Sequence, residues 1–226
     1  MTESFPHSDS ERMNMGNGII FVGGGGHALS LAEFCGDRVI GYIAHSANPD
    51  FPYKWLGDDS MGQEIVAQGF PLHIAYIYSG SPLMLKRKEI IAHYQSLNAK
   101  FATVISPQAT ITPHSEVGEG SAVMCGAIIN RAKIGKCAVI NSGAIIEHDC
   151  KLGDNTFIGP GAVVGGFTEI GNNCFIGLGA RIGNNITIGD NITVAMGAVI
   201  NKDLTEPGIY HGNPLRLFPI HKIRHQ

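Results

Sequence analysis

A small α/β unit followed by a parallel β-helix is the architecture this sequence predicts, and three observations predict it. From Ile105 onward a branched aliphatic residue returns every six positions. Of the 30 glycines, 18 fall after residue 115, where most recur at regular spacing. Before Ile105, short apolar runs alternate with helical patterns.

Residues 1–17 are polar and aperiodic and read as a disordered leader. The α/β unit is expected over 18–104. Ile19–Val22, Val39–Ile43 and Ile74–Tyr78 read as its strands, and Ala28–Cys35 and Leu83–Leu97 as helices. Such alternation implies parallel βαβ units. The segment is too short for a complete doubly wound dinucleotide fold, so a Rossmann-like sheet of three or four strands is expected.

The β-helix is expected over 105–204, with a C-terminal tail at 205–226. Its aliphatics are Ile105, Ile111, Val117 and Val123, then Ile134, Ile140, Ile146, Leu152, Ile158, Val164, Ile170, Ile176, Ile182, Ile188, Val194 and Ile200, with one single-residue slip between Val123 and Ile134. Four residues after most of them stands a small residue: Ala144, Cys150, Thr156, Ala162, Thr168, Cys174, Ala180 and Ala198. Six is three strand periods, so the same face points inward each time, provided the chain turns after every hexad. Three hexads close a triangular coil, and coils stack at about 4.8 Å. Some five coils result. Flat faces of this kind pack well in threes, which implies a homotrimer.

Composition narrows the partners. Charged residues are 15% of the chain, the formal net charge is −3, and there is no basic run. Nucleic acid and anionic membrane are therefore poor partners. No apolar run approaches bilayer length, which makes the cytoplasm the default location. The five cysteines are odd in number and form no C-x-x-C pair, arguing against a disulfide framework or a zinc cluster. Cys150 and Cys174 occupy inward positions and read as core thiols.

Glu147-His148-Asp149 stands out as a charged cluster at one corner of an otherwise apolar and glycine-rich repeat. Histidine exchanges a proton near neutral pH, and an adjacent carboxylate can hold its tautomer, so the cluster suits a general base. The plainer alternative is a solvated corner. Gly166, one coil beyond His148, offers either a backbone N–H for a developing oxyanion or only a turn.

The run NSGAIIEHDCKLGDNTFIGPGAVVGGFTEIG, the opening FVGGGGHAL and the closing Gly212-Asn213-Pro214 resemble the hexapeptide-repeat sugar acyltransferase family. That family includes sialic-acid O-acetyltransferases and bacillosamine-type N-acetyltransferases of nucleotide-activated amino sugars. The resemblance implies a left-handed β-helix, acetyl-CoA as donor, and a trimer with active sites at subunit interfaces. It implies His148 as general base, oriented by Asp149, with Glu147 the weaker candidate for that orienting role. It also implies cofactor contacts at Gly166, Leu178 and Met196. A family histidine nine residues past the base is here Phe157.

Gly23-Gly24-Gly25-Gly26-His27-Ala28 follows a strand and opens a helix, fitting a dinucleotide fingerprint. The acidic residue expected about 20 positions on is missing, since Ile43 is followed by Ala44 and His45. This argues against a nicotinamide cofactor. In the resembling family the loop binds the nucleotide-sugar, which assigns Gly25, Gly26 and His27 to substrate. The family's usual aspartates after the second strand are absent here too. The 46–59 loop with Trp55 is open between a lid and a packed tryptophan.

The expected function is acetyl transfer from acetyl-CoA to the amine of a nucleotide-activated sugar in bacterial surface-glycan synthesis, without a metal. O-acetylation of a sugar hydroxyl is the alternative. A zinc carbonic anhydrase needs three converging histidines, and the coils supply only His114 and His148. A non-catalytic sugar-binding scaffold is the remaining class, and it leaves the charged corner unexplained.

Overall fold

The computed structural model describes residues 18–77, 83–212 and 216–218. The expected leader, Tyr78, His221, His225 and the Asn213-Pro214 part of the closing motif lie outside the described residues. Two compact units are distinguished: residues to Tyr76 together with Tyr94–Lys100, and Ile77–His93 together with residues from Phe101 onward.

The first unit is built on a three-stranded parallel sheet of order β2-β1-β3, with β1 at Ile19–Val22, β2 at Val39–Ile43 and β3 at Leu72–Ile74. All four residues of β1 are buried, which explains its unbroken apolar run. The third strand lies earlier than the expected Ile74–Tyr78. Leu72, His73 and Ile74 pair with Ile20, Phe21 and Val22, and that register recruits a fully buried histidine that apolarity alone does not mark. Helix α1 spans Gly26–Cys35 and starts two residues before the expected Ala28, because Gly25 serves as an extended N-cap whose carbonyl accepts from Leu29 N–H. A short helix α2 at Gly62–Ala67 was not expected. Helix α3 runs over Leu83–Ser96, one residue short of the expected end.

The second unit contains the coils. Face I stacks Val104–Ile105, Ala122–Val123, Val139–Ile140, Phe157–Ile158, Phe175–Ile176, Ile192–Val194 and Gly208–His211. Face II stacks Thr110–Ile111, Ile128–Ile129, Ile145–Ile146, Val163–Val164, Arg181–Ile182 and Val199–Ile200. Face III stacks Glu116–Val117, Lys133–Ile134, Lys151–Leu152, Glu169–Ile170 and Thr187–Ile188. Among the described residues all pairings between coils are parallel, and the final strand described, Arg216–Phe218, returns antiparallel on Gly208–His211.

The second residue of most strands points inward. Ile140, Ile146, Ile158, Val164 and Ile176 are fully buried, and the small residues Ala144, Thr156, Ala162, Thr168 and Ala180 fill the space beneath the corners. Ile105 departs from the pattern: it is 45% exposed, because its coil is the first and has no neighbour on one side. The slip lies between Ile129 and Ile134, and Ile129 is an inward residue of the repeat.

From Gly120 to Gly197, each corner places one residue in the left-handed region. On the edge between faces I and II it is glycine: Gly126, Gly143, Gly161, Gly179 and Gly197. On the other two edges asparagine recurs, at Asn155, Asn173, Asn185 and Asn191, the non-glycine residue that tolerates this conformation best.

Helix α3 is fastened to the coils by a buried cation. The Arg87 guanidinium donates to the carbonyl of Cys137, at 2.6 Å, and to Asn155 Oδ1. Asn155 Nδ2 donates to the Met84 carbonyl and to Asn173 Oδ1. Complete burial pulls the Arg87 pKa down to about 10, yet it stays charged at neutral pH. Asn155→Ala strands part of that charge, and thermal or urea unfolding is expected to show a loss of about 3 kcal/mol. A change under about 0.5 kcal/mol, the usual scale for an ordinary surface site, would contradict this role.

Candidate functional site

His148 sits on the edge between faces II and III, where a normal corner has four residues: Thr112-Pro113-His114-Ser115, Glu147-His148-Asp149-Cys150, then Gly165-Gly166-Phe167-Thr168. The corner between the first two has only three, Asn130-Arg131-Ala132. Arg131 and Asp149 share the left-handed slot, at φ 48° and 61°, and Asp149 N–H donates to the Arg131 carbonyl. Ala132 and Cys150 share the inward slot. The missing residue is therefore the one that would lie directly beneath His148. On the opposite side lies Gly166, where a Cβ would stand 2.9 Å from His148 Nε2 and 3.0 Å from Cε1. A deletion below and a glycine above leave the imidazole in a cleared niche.

The ring is oriented within that niche. Nδ1 lies 3.0 Å from Asp149 Oδ2, so Asp149 accepts its proton and Nε2 is left facing Gly166. Asp149 Oδ1 lies 3.7 Å from the Arg131 guanidinium, an exposed pair that contributes little to stability but fixes the carboxylate from its other side. Glu147 turns away: its carboxylate accepts from Asn130 Nδ2 at 3.3 Å. Phe167 meets the imidazole edge-on, with ring centroids 5.0 Å apart. It does so from φ 59°, a conformation unfavourable for a bulky residue, and its side chain remains exposed. Among the described residues, the Gly166 N–H donates to no other group.

Arg131 was not singled out from sequence. Its signal was the single-residue slip, which becomes informative once the short corner is known to lie under His148.

Leu178 and Met196 occupy the tips of successive corners on the edge between faces I and II, so within one chain they do not share an edge with His148. Neither packs into the core: Leu178 is 57% exposed and Met196 76%. Between the two edges, face II directs Ile128, Ile145, Val163 and Val199 outward, interrupted only by Arg181. Face III carries charged outward pairs instead, Glu116 with Lys133 and Lys151 with Glu169. Phe157 is buried on face I, stacked on Phe175 with ring centroids 4.8 Å apart, and does not front the His148 corner. His114 is exposed two corners below His148 on the same edge.

The cysteines at inward positions are shielded. Burial raises the Cys150 thiol and pushes Cys174 up to about 12, and their sulfurs donate to the Gly165 and Gly189 carbonyls. Both are protonated at neutral pH. Among the described residues no group of three or more His, Cys, Asp or Glu is placed to hold a metal ion. No described helix is long and apolar enough to cross a membrane.

In the first unit the four glycines divide by role. Gly23, at φ 111°, donates to the Ile43 carbonyl. A Cβ on Gly24 would stand 2.5 Å from the Tyr42 ring. Gly25 and Gly26 have nothing within 4 Å of a Cβ position, so the fold does not require glycine there, and the space above the α1 N-terminus stays open. His27, the second residue of α1, is half-buried. Trp55 is not the packed residue that tryptophan usually is: it is 42% exposed, and its Nε1 donates to the Ala44 carbonyl at 2.9 Å.

Comparison with known proteins places these features in context. The model of the bacterial transferase hexapeptide (six repeats) family matches residues 131–166 and 167–202. PerB from Caulobacter crescentus, solved in complex with CoA and GDP-perosamine, is 32% identical over 89% of this chain and 97% of its own, with a TM-score of 0.80. The acetyltransferase domain of PglB from Neisseria gonorrhoeae, in complex with acetyl coenzyme A, is 26% identical over 89% of this chain and 99% of its own, with a TM-score of 0.81. WeeI from Acinetobacter baumannii, at 24% identity and a TM-score of 0.77, shares the fold. No match is found among curated proteins. With its repeat matched by the hexapeptide model and both units covered by PerB, the chain belongs to the hexapeptide-repeat sugar acyltransferase family.

Proposed function

We propose that this chain transfers the acetyl group of acetyl-CoA to the amine of a nucleotide-activated amino sugar, with His148 as general base. The observation that carries the reading is the His148 niche: Nδ1 is held by Asp149, Nε2 faces Gly166, and the residue that would crowd the ring from below is missing. PerB, bound to CoA and GDP-perosamine, supports an amino-sugar acceptor rather than a hydroxyl. The site is a cytoplasmic one in this reading, supplying a modified sugar for surface glycans.

The neutral amine attacks the thioester carbonyl carbon and passes its proton to His148 Nε2. The carbonyl oxygen takes up negative charge, which the Gly166 N–H stabilises. Collapse of the tetrahedral centre re-forms the carbonyl and breaks the carbon–sulfur bond. The departing thiolate takes the proton back from His148, giving free CoA and the amide. Asp149 stabilises the imidazolium in between. In the first unit, read as Rossmann-like, Gly25, Gly26 and His27 receive the nucleotide diphosphate at the α1 N-terminus.

The cofactor contacts Leu178 and Met196 come from a second copy. In a left-handed prism whose face II turns toward a threefold axis, the I–II edge of one subunit meets the II–III edge of the next. The outward aliphatics of face II support that orientation. Val163→Glu is then expected to convert a trimer into monomers by light scattering and to abolish turnover; a trimer that persists would remove this interface.

Thiol release from acetyl-CoA against UDP-, GDP- and dTDP-linked amino sugars tests the mechanism. His148→Ala is expected to lose at least about 10²-fold in kcat on the best substrate. Equal turnover would sink the assignment, and a sugar hydroxyl as the best acceptor would move the reading to O-acetylation. Gly166→Ala, which places a methyl against Nε2, is expected to keep its circular dichroism spectrum while kcat falls about 10²-fold.

Gly26→Ala separates binding from folding. Alanine favours the helix by up to about 1 kcal/mol over glycine and meets nothing in the fold, so Tm is expected to hold or rise. KM for the nucleotide-sugar is expected to rise several-fold while that for acetyl-CoA stays unchanged. An unaltered nucleotide-sugar KM would take this loop out of the site.

A further inference from the structure

We infer that Trp55 is the platform on which the nucleobase of the acceptor stacks, and that stacking replaces the acidic contact absent after β2. This rests on the nucleotide-sugar reading above.

The placement comes from the sheet. Ligands of open parallel sheets bind beyond the carboxyl ends of the strands, with phosphates at the first glycine-rich turn. The base then extends toward the end of the neighbouring strand, which here is β2, the edge of the sheet. Trp55 lies there. It forms an isolated parallel bridge with Tyr42, flanked by hydrogen bonds from Tyr42 N–H to the Lys54 carbonyl and from Leu56 N–H to the Tyr42 carbonyl.

The loop that carries it is a packed scaffold and not an open lid. Asn48 Nδ2 donates to the Gly24 carbonyl at 2.6 Å, and Asn48 N–H donates to Tyr42 Oη at 2.7 Å. Phe51 is buried edge-on against Tyr42, with centroids 4.7 Å apart. Ala44 N–H donates to the Gly57 carbonyl. The same loop therefore ties the glycine turn, the end of β2 and the tryptophan into one piece.

Against that background the exposure of Trp55 is the anomaly. Its indole N–H is already bonded to Ala44, so hydrogen bonding gives it no reason to seek water. Its ring is left uncovered while Phe51 and Tyr42 are buried. A rigid, polar-satisfied, exposed aromatic ring beside an open phosphate turn is suited to the π-face of a base. The residues following β2 are Ala44 and His45, neither of them acidic, and the nearby Asp58, whose charge acts on His45, accepts through Oδ1 from the Ser60 N–H and hydroxyl. Stacking on a flat ring is tolerant of base identity. Discrimination between purine and pyrimidine nucleotides is accordingly weak.

Trp55 is the only tryptophan of the chain, so its fluorescence reports on this position alone. GDP and UDP are expected to quench it saturably, with dissociation constants within about tenfold of each other, and inorganic pyrophosphate is expected to leave it unchanged. By calorimetry Trp55→Ala is expected to weaken both nucleotides by about tenfold or more, and Trp55→Phe to retain most of the affinity. If GDP or UDP binds the native chain by calorimetry without quenching, or binds Trp55→Ala as tightly as native, the inference falls and the nucleotide-sugar reading stands. If neither the nucleotides nor their amino-sugar conjugates bind the native chain, both fall. Should Trp55→Ala fail to fold, the quenching of the native chain and the Trp55→Phe affinity decide the matter.

Discussion

The stacking of one coil directly on the next is the constraint on which the rest of this molecule depends. Every inward side chain has a neighbour in the equivalent slot of the adjacent coil, so each column of residues must have compatible size along its whole length. Branched aliphatics fill the flat walls, while alanine, cysteine and threonine fill the corners, where less room remains. Corner threonines bond across coils: Thr156 and Thr168 hydroxyls donate to the Gly171 and Gly183 carbonyls. The pattern leaves little freedom inside. It leaves the outer corner tips and outer wall positions free to carry chemistry.

That division explains how the His148 niche arises without disturbing the core. Removing one outer corner residue between Asn130 and Arg131 changes nothing inside, because Ala132 still occupies its inward slot. Outside, it vacates the place beneath His148. Gly166 does the same from above, and Asp149, in the left-handed slot that recurs along this edge at Arg131, Phe167 and Asn185, has its carboxylate beside Nδ1. The architecture supplies the positions, and only small local changes make them a site.

Much of this was legible in the sequence because a six-residue period is a long-range signal repeated many times. The strands, the inward small residues and the buried thiols all follow from it. What escaped was non-periodic. The third strand of the α/β unit lies earlier than its apolar run because His73 is buried by its pairing with Phe21, a tertiary fact that local apolarity does not encode. Arg131 is not marked by the repeat, because in sequence the slip between Val123 and Ile134 is a bare irregularity with no corner attached to it. The separation of Leu178 and Met196 from His148 became visible only when corners were assigned to edges. Trp55 defied the ordinary expectation of burial, and its bond to Ala44 comes from a loop with no repeat to read.

A parallel β-helix ends in an open row of peptide groups, an invitation to another copy to continue the stack without limit. On face I the chain answers by reversing direction: Gly208–His211 is followed by Arg216–Phe218 running antiparallel. The outermost row then has a hydrogen-bonding rhythm and polarity that a further parallel coil does not match in register. Face III ends on an isolated bridge between Ile188 and Leu204. Filament growth along the axis is thus discouraged.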